Sequence, residues 1–470
     1  MIRLGINMEF YKQLELFKER TAVISEDGRA ISYKTLVKDS DQFGSYIPER
    51  NLIFIMCSNT YESLVGYIGS LRKQVVPVLI NEGIDRELLA KLQESYRPSY
   101  IFMPNNNKDI RENMVYSIGQ YSLVKTNYNI DYVLYKDLAL LLTTSGSTGS
   151  PKLVRQSYEN ITSNAESICT YLEITNQDRP ITTLPMAYTY GLSIINSHLA
   201  RGASLILTDK TLMEKAFWML LKEHRATTFG GVPYIYEMLK KINFSRMELP
   251  YLRVITQAGG RLSPQLSKEF AEVCQEKGIK FFVMYGQTEA TARISYLPYE
   301  YAKDKAGSIG IAIPGGKLEL IDDDGNIIEE PEVTGELIYK GSNVTLGYAE
   351  NRFELANGDE NAGVLHTGDM AKRDNEGFYY IVGRKKRFLK LFGNRVNLDE
   401  VEQLLMEQGF ECVCSGKDDR LEIYTVGHDE EAIKQYIVNH TGINPAGFRI
   451  QHIVKIPRNE AGKVLYSELG

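Results

Sequence analysis

The chain has 470 residues, 43% apolar and 24% charged, the balance of a soluble globular protein too long for one ordinary core, so a large domain with a smaller companion is expected. Its formal net charge of -6 provides no basic field for nucleic acid, and any polyanion it binds must be met by local positive groups. The five cysteines, Cys57, Cys169, Cys274, Cys412 and Cys414, are few and scattered, which argues against a disulfide framework and for a reducing, cytoplasmic setting.

The opening MIRLGINMEF lacks the apolar core of a signal peptide. The longest apolar stretch, near Tyr61 to Ile80, is broken by Arg72 and Lys73, so no membrane insertion is expected. From there β-branched runs alternate with helix-period segments. NLIFIMC from Asn51 reads as a strand, YESLVGYIGSL as a helix, VVPVLI from Val75 as a strand, IDRELLAKLQES as a helix and SYIFM as a strand. The alternation recurs through ASLILT, KAFWMLLKEH, ATTFGG, PYIYEMLKK, LRVITQ, SPQLSKEFAEVCQEKG and KFFVMYG. This is an α/β pattern that predicts parallel sheets covered by helices, with ligands at the carboxyl ends of the strands.

After about Gly307 the texture becomes that of a β section. KLELIDDDGNIIEE reads as a hairpin turning at Asp324-Gly325; a calcium loop is disfavoured because no glutamate holds its twelfth position. GELIYKGSNVTLGY and GFYYIVG continue as short strands, and the basic GRKKRFLK follows from Gly383. Beyond it a helix (LDEVEQLLMEQG), strands near Glu411 and Leu421, a helix (DEEAIKQYIVNH) and the strand FRIQHIVKI form a small α+β unit. The division expected is 1–385 for the large domain and 386–470 for the small one. Cys412 and Cys414 share one strand face, without metal-ligand spacing, and the six histidines add no cluster.

Five segments carry potential chemistry. TTSGSTGSPK, Thr143 to Lys152, leaves a strand with small and hydroxyl residues that let backbone amides approach a phosphate. It is not a Walker A loop, because Pro151 precedes the lysine and no Gly-Lys-Ser/Thr opens a helix. VMYGQTEA offers Tyr285 to stack on a base, Thr288 to reach a phosphate oxygen and Glu289 to hold Mg²⁺. LHTGDMAKR offers Asp369 to ribose hydroxyls. GRKKRFLKLFGNRV is a basic face, and IPRNEAGKVLYSEL places Lys463 in a loop. Taken singly, each has an ordinary structural reading: a flexible connector, a helix cap, an Asx turn, a solvated face, a surface lysine.

Their order and spacing, together with ISYKTL from Ile31 and GELIYKG, resemble the adenylate-forming superfamily of acyl-CoA synthetases, peptide-synthetase adenylation domains and luciferases, over nearly the whole chain. The resemblance implies a large adenylation domain and a small, mobile α+β domain. It implies an enzyme that condenses a carboxylic acid with ATP into an acyl-adenylate, releases pyrophosphate, and passes the acyl group to CoA or to the phosphopantetheine of an acyl or peptidyl carrier protein. By the same resemblance Thr144, Ser145, Gly146, Ser147, Thr148, Gly149 and Lys152 hold the triphosphate, and Gly259 and Gly260 line the adenine and acyl pocket. Tyr285 meets adenine, Thr288 the α-phosphate, Glu289 Mg²⁺, and Asp369 with Arg384 beside it the ribose. Lys463 bridges carboxylate and α-phosphate, and Lys386 is the hinge about which the small domain turns between half-reactions.

The implied acyl pocket involves Ala187, Tyr188, Gly230, Val232 and Gly259, whose small residues suit a flat or linear apolar acid, aryl or fatty. PMAYTYGL has no aspartate to pair an α-ammonium, which weighs against an amino-acid-activating enzyme. A catalytically silent nucleotide-binding protein is the other alternative, opposed by the presence of Glu289, Asp369 and Lys463. The sequence departs from the family pattern at Leu153, where glycine is common, at Tyr188, where histidine is common, and at Tyr466, where arginine is frequent.

Overall fold

The uninterrupted apolar runs become buried strands. In the computed structural model, which describes residues 9–105, 113–128, 130–143, 152–392, 394–427, 429–441, 443–458 and 464–469, Leu52–Cys57 is buried at every position and Leu138–Thr143 at all but its last. A parallel strand covered on both faces has no polar side to show, hence the missing alternation. The chain divides into two units, Met1–Lys317 with Lys340–Leu365, and Leu318–Tyr339 with His366–Gly470.

The first unit holds an eight-stranded sheet in the order Gly347–Ala349, Leu153–Ser157, Leu138–Thr143, Val76–Asn81, Leu52–Cys57, Tyr100–Pro104, Tyr121–Lys125, Met114–Ile118. Its centre is parallel, as the alternating pattern predicts. Its edges are antiparallel, and chain length explains why. Too few residues separate Leu138–Thr143 from Leu153–Ser157 for a crossover helix, and Gly119-Gln120 alone joins Met114–Ile118 to Tyr121–Lys125. A second sheet repeats the arrangement. Thr228–Gly231, Val254–Gln257 and Lys280–Tyr285 run parallel, and Ser295–Leu297 and Ile311–Ala312 return antiparallel. Helices between the strands start where the side chains dictate. Thr60 accepts a hydrogen bond from Ser63 N to open Tyr61–Arg72. Ser263 with Pro264 opens Pro264–Lys277, and Gly278 closes it at φ +68°.

One buried side chain fastens a distant segment to the large sheet. Arg155, fully buried on Leu153–Ser157, donates from Nε to Tyr348 O at 2.9 Å, from Nη2 to Leu346 O at 2.8 Å and from Nη1 to Gly358 O at 3.1 Å and to Asn357 O. Nη2 also pairs with Glu360 at 2.9 Å. The guanidinium thus spends its donors on one loop and holds Gly347–Ala349 as the edge strand beside its own.

In the second unit Lys317–Ile321, Gly335–Lys340, Val364–Arg373 and Tyr379–Arg384 form a four-stranded sheet in that order. The acidic run is a turn, as expected: Asp322 Oδ1 accepts from Asp324 N and Asn326 N, and Gly325 takes φ +87°. Beyond it Cys412–Lys417, Arg420–Thr425 and Phe448–His452 make a three-stranded sheet with helices Leu398–Glu407 and Glu430–Thr441. Cys412 and Cys414 face one core with Leu405, Ile423, Ile433 and Ile437, while Val413 belongs to another cluster. Among the described residues no helix is long and apolar enough to cross a membrane.

Arg155→Ala is expected to lower stability by about 2–4 kcal/mol, because it leaves several carbonyls without their donor at once, while the half-exposed Glu360 carboxylate turns to water. A thermal or urea melt reads it.

Candidate nucleotide and acyl site

The carboxyl ends of two adjacent parallel strands of the second sheet bring the proposed acyl wall together. Gly230 ends Thr228–Gly231, Val232 caps Pro233–Lys241, and Gly259 follows Val254–Gln257. Gln257 Nε2 donates to Gly260 O at 2.9 Å and closes that turn. The space left by the glycines is taken by tyrosines. A Cβ on Gly259, which sits at φ +81°, would lie 2.5 Å from Tyr188 Oη and 3.0 Å from Val232 Cγ1. A Cβ on Gly230 would lie 2.8 Å from Tyr190 Oη and 2.9 Å from Ile194 Cδ1.

Both tyrosines sit at the start of Thr189–Leu199, which begins just past Ala187 and Tyr188. Tyr190 is held rigidly. Its hydroxyl bonds with Thr256 at 2.8 Å, and the Arg293 guanidinium lies 4.2 Å over its ring. Arg293, 1% exposed, donates to Ser193 Oγ from Nε at 3.2 Å and from Nη2 at 2.9 Å. No carboxylate is paired with it among the described residues. Burial raises the Tyr188 and Tyr190 phenols above their usual range, with Arg293 opposing, so both hydroxyls stay neutral at physiological pH.

Tyr285 ends Lys280–Tyr285, and its hydroxyl accepts from Gln287 Nε2 at 3.0 Å. Thr288 and Glu289 lie half-buried in the short 3-10 helix Thr288–Ala290. Glu289 is fixed at both ends: its carbonyl accepts from Thr345 N and Thr345 Oγ1, each at 3.0 Å, and its Oε1 accepts from Tyr348 Oη at 2.5 Å. The next turn is strained. Thr291 adopts φ +64°, rare for a β-branched residue. It is held there because its Oγ1 donates to Asn343 O at 2.7 Å, while Asn343 Nδ2 donates to Ala290 O and Arg293 O at 2.9 Å each.

Lys152 Nζ lies 3.6 Å from the centroid of the Tyr348 ring. Lys152, Tyr348 and Glu289 therefore form one continuous contact. Thr144, Ser145, Gly146, Ser147, Thr148 and Gly149 lie outside the described residues, as does Lys463.

In the second unit the buried Asp369 and Arg384 are direct partners across adjacent strands, with Nε 2.8 Å from Oδ1. Lys386 falls in the 3-10 turn Lys385–Arg387; its side chain lies outside the description. The next residue is clamped. Arg387 donates to Asp399 at 2.5 Å, Glu402 at 2.6 Å and Cys414 O at 3.0 Å. Tyr466 covers that guanidinium at 3.9 Å and donates to Glu402 at 3.1 Å. The tyrosine at the position where the family often has arginine is thus engaged within its own unit.

Among the described residues no three histidine, cysteine or acidic side chains form a metal cage. One fixed carboxylate, Glu289, joined through Tyr348 to Lys152, is a donor of the kind that suits Mg²⁺, which takes one or two carboxylates together with phosphate oxygens.

The AMP-binding enzyme family matches residues 10–349. This chain belongs to the AMP-binding enzyme family. It is an AMP-forming acid–thiol ligase, dependent on ATP and working through an acyl-adenylate. It is 27% identical to the 2-succinylbenzoate–CoA ligase of Bacillus subtilis over 97% of this chain and 96% of that protein. It is 23% identical to the medium-chain fatty-acid–CoA ligase of Escherichia coli, over 95% of this chain and 86% of that protein. Its fold is that of the Bacillus subtilis o-succinylbenzoate CoA synthetase solved with its acyl-adenylate intermediate (TM-score 0.80, 24% identity, 98% and 97% of the two chains). ATP-bound MatB from Rhodopseudomonas palustris is similar as well (TM-score 0.78, 20% identity, 99% and 98%). As an AMP-binding enzyme the chain carries further residues that its motifs do not reveal. Tyr348, Thr345, Arg155, Asn343 and Tyr190 act through contacts with residues far away in sequence. The local signals were the strand-like GELIYKGSNVTLGY, which contains Asn343 and Thr345 and ends on Tyr348, and PMAYTYGL, which contains Tyr190.

Proposed function

We propose that the enzyme adenylates a compact carboxylic acid, aryl or short-chain, and transfers the acyl group to CoA. The observation behind the choice of acid is the close approach of the Tyr188 hydroxyl and Val232 to Gly259, 2.5 Å and 3.0 Å from where a Cβ would stand, which we read as a wall that leaves little room for an extended chain. The similarity to 2-succinylbenzoate–CoA ligases supports CoA as the acceptor, since curated relatives from three further bacterial genera carry that name. Five buried free thiols support a cytoplasmic setting.

The chemistry requires two anions to meet, the acid's carboxylate and the triphosphate. We assign the triphosphate to residues 144–149 with Lys152, adenine to Tyr285 and the Gly259-Gly260 turn, the α-phosphate to Thr288, and the ribose hydroxyls to Asp369, which Arg384 orients. Mg²⁺ held by Glu289 supplies charge neutralisation on the phosphates. Lys463 meets the charge that builds on the α-phosphate oxygens as the carboxylate attacks. A fixed cation aimed at developing charge acts most strongly in the transition state. The second half-reaction brings a thiol to the acyl carbon, and we assign the pivot between the two steps to Lys386, at the boundary of 1–385 and 386–470. The Arg387 clamp on Asp399 and Glu402 makes the residues after the pivot move as one piece with their helix.

Lys463→Ala is expected to reduce acid-dependent adenylation by about 10²–10³-fold with ATP affinity little changed; a mutant with full adenylation contradicts the assignment. Lys386→Pro fixes φ at the pivot. It should retain adenylate formation in a single turnover and slow thioester release, whereas equal loss of both steps contradicts a pivot there. Tyr188→Ala removes the closure at Gly259 and should move the acid preference toward longer chains, read as kcat/KM across a chain-length series.

A further inference from the structure

Tyr348 lies between two groups of the proposed site and belongs to neither motif. Its hydroxyl donates to Glu289 Oε1 at 2.5 Å, a separation at the short, charge-assisted end for O–H to carboxylate. Its ring carries Lys152 Nζ at 3.6 Å from the centroid.

The fold holds this tyrosine in place from two directions and its partner Glu289 from a third. Arg155 Nε donates to the Tyr348 carbonyl at 2.9 Å. Tyr348 pairs with Val154 across the strand edge. Thr345, three residues earlier, holds the Glu289 carbonyl with two bonds of 3.0 Å each. Glu289 is therefore gripped by one segment at its backbone and at its carboxylate. An unrestrained glutamate carries several rotamers, and ordering it costs side-chain entropy when it binds a cation. Here that ordering is already built in.

We propose that Tyr348 is a positioning residue that presents the Glu289 carboxylate to the divalent cation of the nucleotide complex. This rests on the reading of Glu289 as the cation's protein ligand. The role belongs to the hydroxyl and not to the ring, so Tyr348→Phe isolates it: the phenyl face that Lys152 covers is retained and the bond to Glu289 is lost.

The test is a Mn²⁺ titration followed by EPR, on full-length enzyme saturated with α,β-methylene-ATP, comparing the wild type, Tyr348→Phe and Glu289→Gln. Metal-free binding of the same analogue, measured by fluorescence, and a thermal melt establish that each variant is folded. Tyr348→Phe is expected to weaken Mn²⁺ binding by about tenfold, the effect of losing one hydrogen bond to a charged group, and to raise the Mg²⁺ concentration needed for half-maximal exchange. Thr345→Val, which frees one of the two bonds on the Glu289 carbonyl, shifts Mn²⁺ binding less and in the same direction. A weakened Glu289→Gln beside a Tyr348→Phe at the wild-type value overturns the role of Tyr348 and leaves Glu289 as ligand. Wild-type Mn²⁺ binding in both variants overturns the reading of Glu289 and the proposal with it.

Discussion

The site depends on a buried arginine that makes no contact with substrate in this account. Arg155 leaves the strand after the Ser/Gly loop and spends its donors on carbonyls of residues 346–358 and on Glu360. A guanidinium with five N–H groups in a fixed fork can organise a loop in a way a lysine cannot. Burying it is costly unless every donor is satisfied, and the loop satisfies it. The outcome is that the strand Leu153–Ser157, the edge strand Gly347–Ala349 and the turn carrying Glu289 are one mechanical piece.

That rigidity suits the reaction. Adenylation joins two anions, so catalytic groups must stand ready where charge collects; groups that had to reorganise during the reaction would contribute less. Glu289 is held by Thr345 and Tyr348, and Thr291 is kept in the left-handed region by Asn343. Asp369 is paired with Arg384. Arg293 and Thr256 likewise immobilise Tyr190 beside Gly230.

Much of this architecture was legible in the sequence for definite reasons. Parallel strands covered on both faces show as continuous apolar runs, which placed Leu52–Cys57, Val76–Asn81 and Lys280–Tyr285 closely. Asp324-Gly325 announced its turn, and the spacing of Cys412 and Cys414 gave their shared face. The antiparallel edges were not legible, because strand direction follows from connection length and pairing, which the apolar pattern of a run does not encode. At the site, the motif residues stood out because small, hydroxyl and acidic residues at strand ends have few structural uses in that order. Arg155 and Tyr348 did not, since their partners lie 193 and 59 residues away. Gly230 and Gly259 show the limit most plainly: a glycine reveals that a side chain is missing and says nothing of what fills the gap, here the hydroxyls of Tyr190 and Tyr188.

The central claim is that this enzyme adenylates a compact acid. The most direct measurement is carboxylate-dependent ATP–pyrophosphate exchange across aryl, short-, medium- and long-chain fatty acids and amino acids, with the nucleotide product identified. The account predicts exchange confined to aryl or short-chain acids, with AMP as the product of full turnover. Exchange led by long-chain acids, or release of ADP and phosphate, would contradict it.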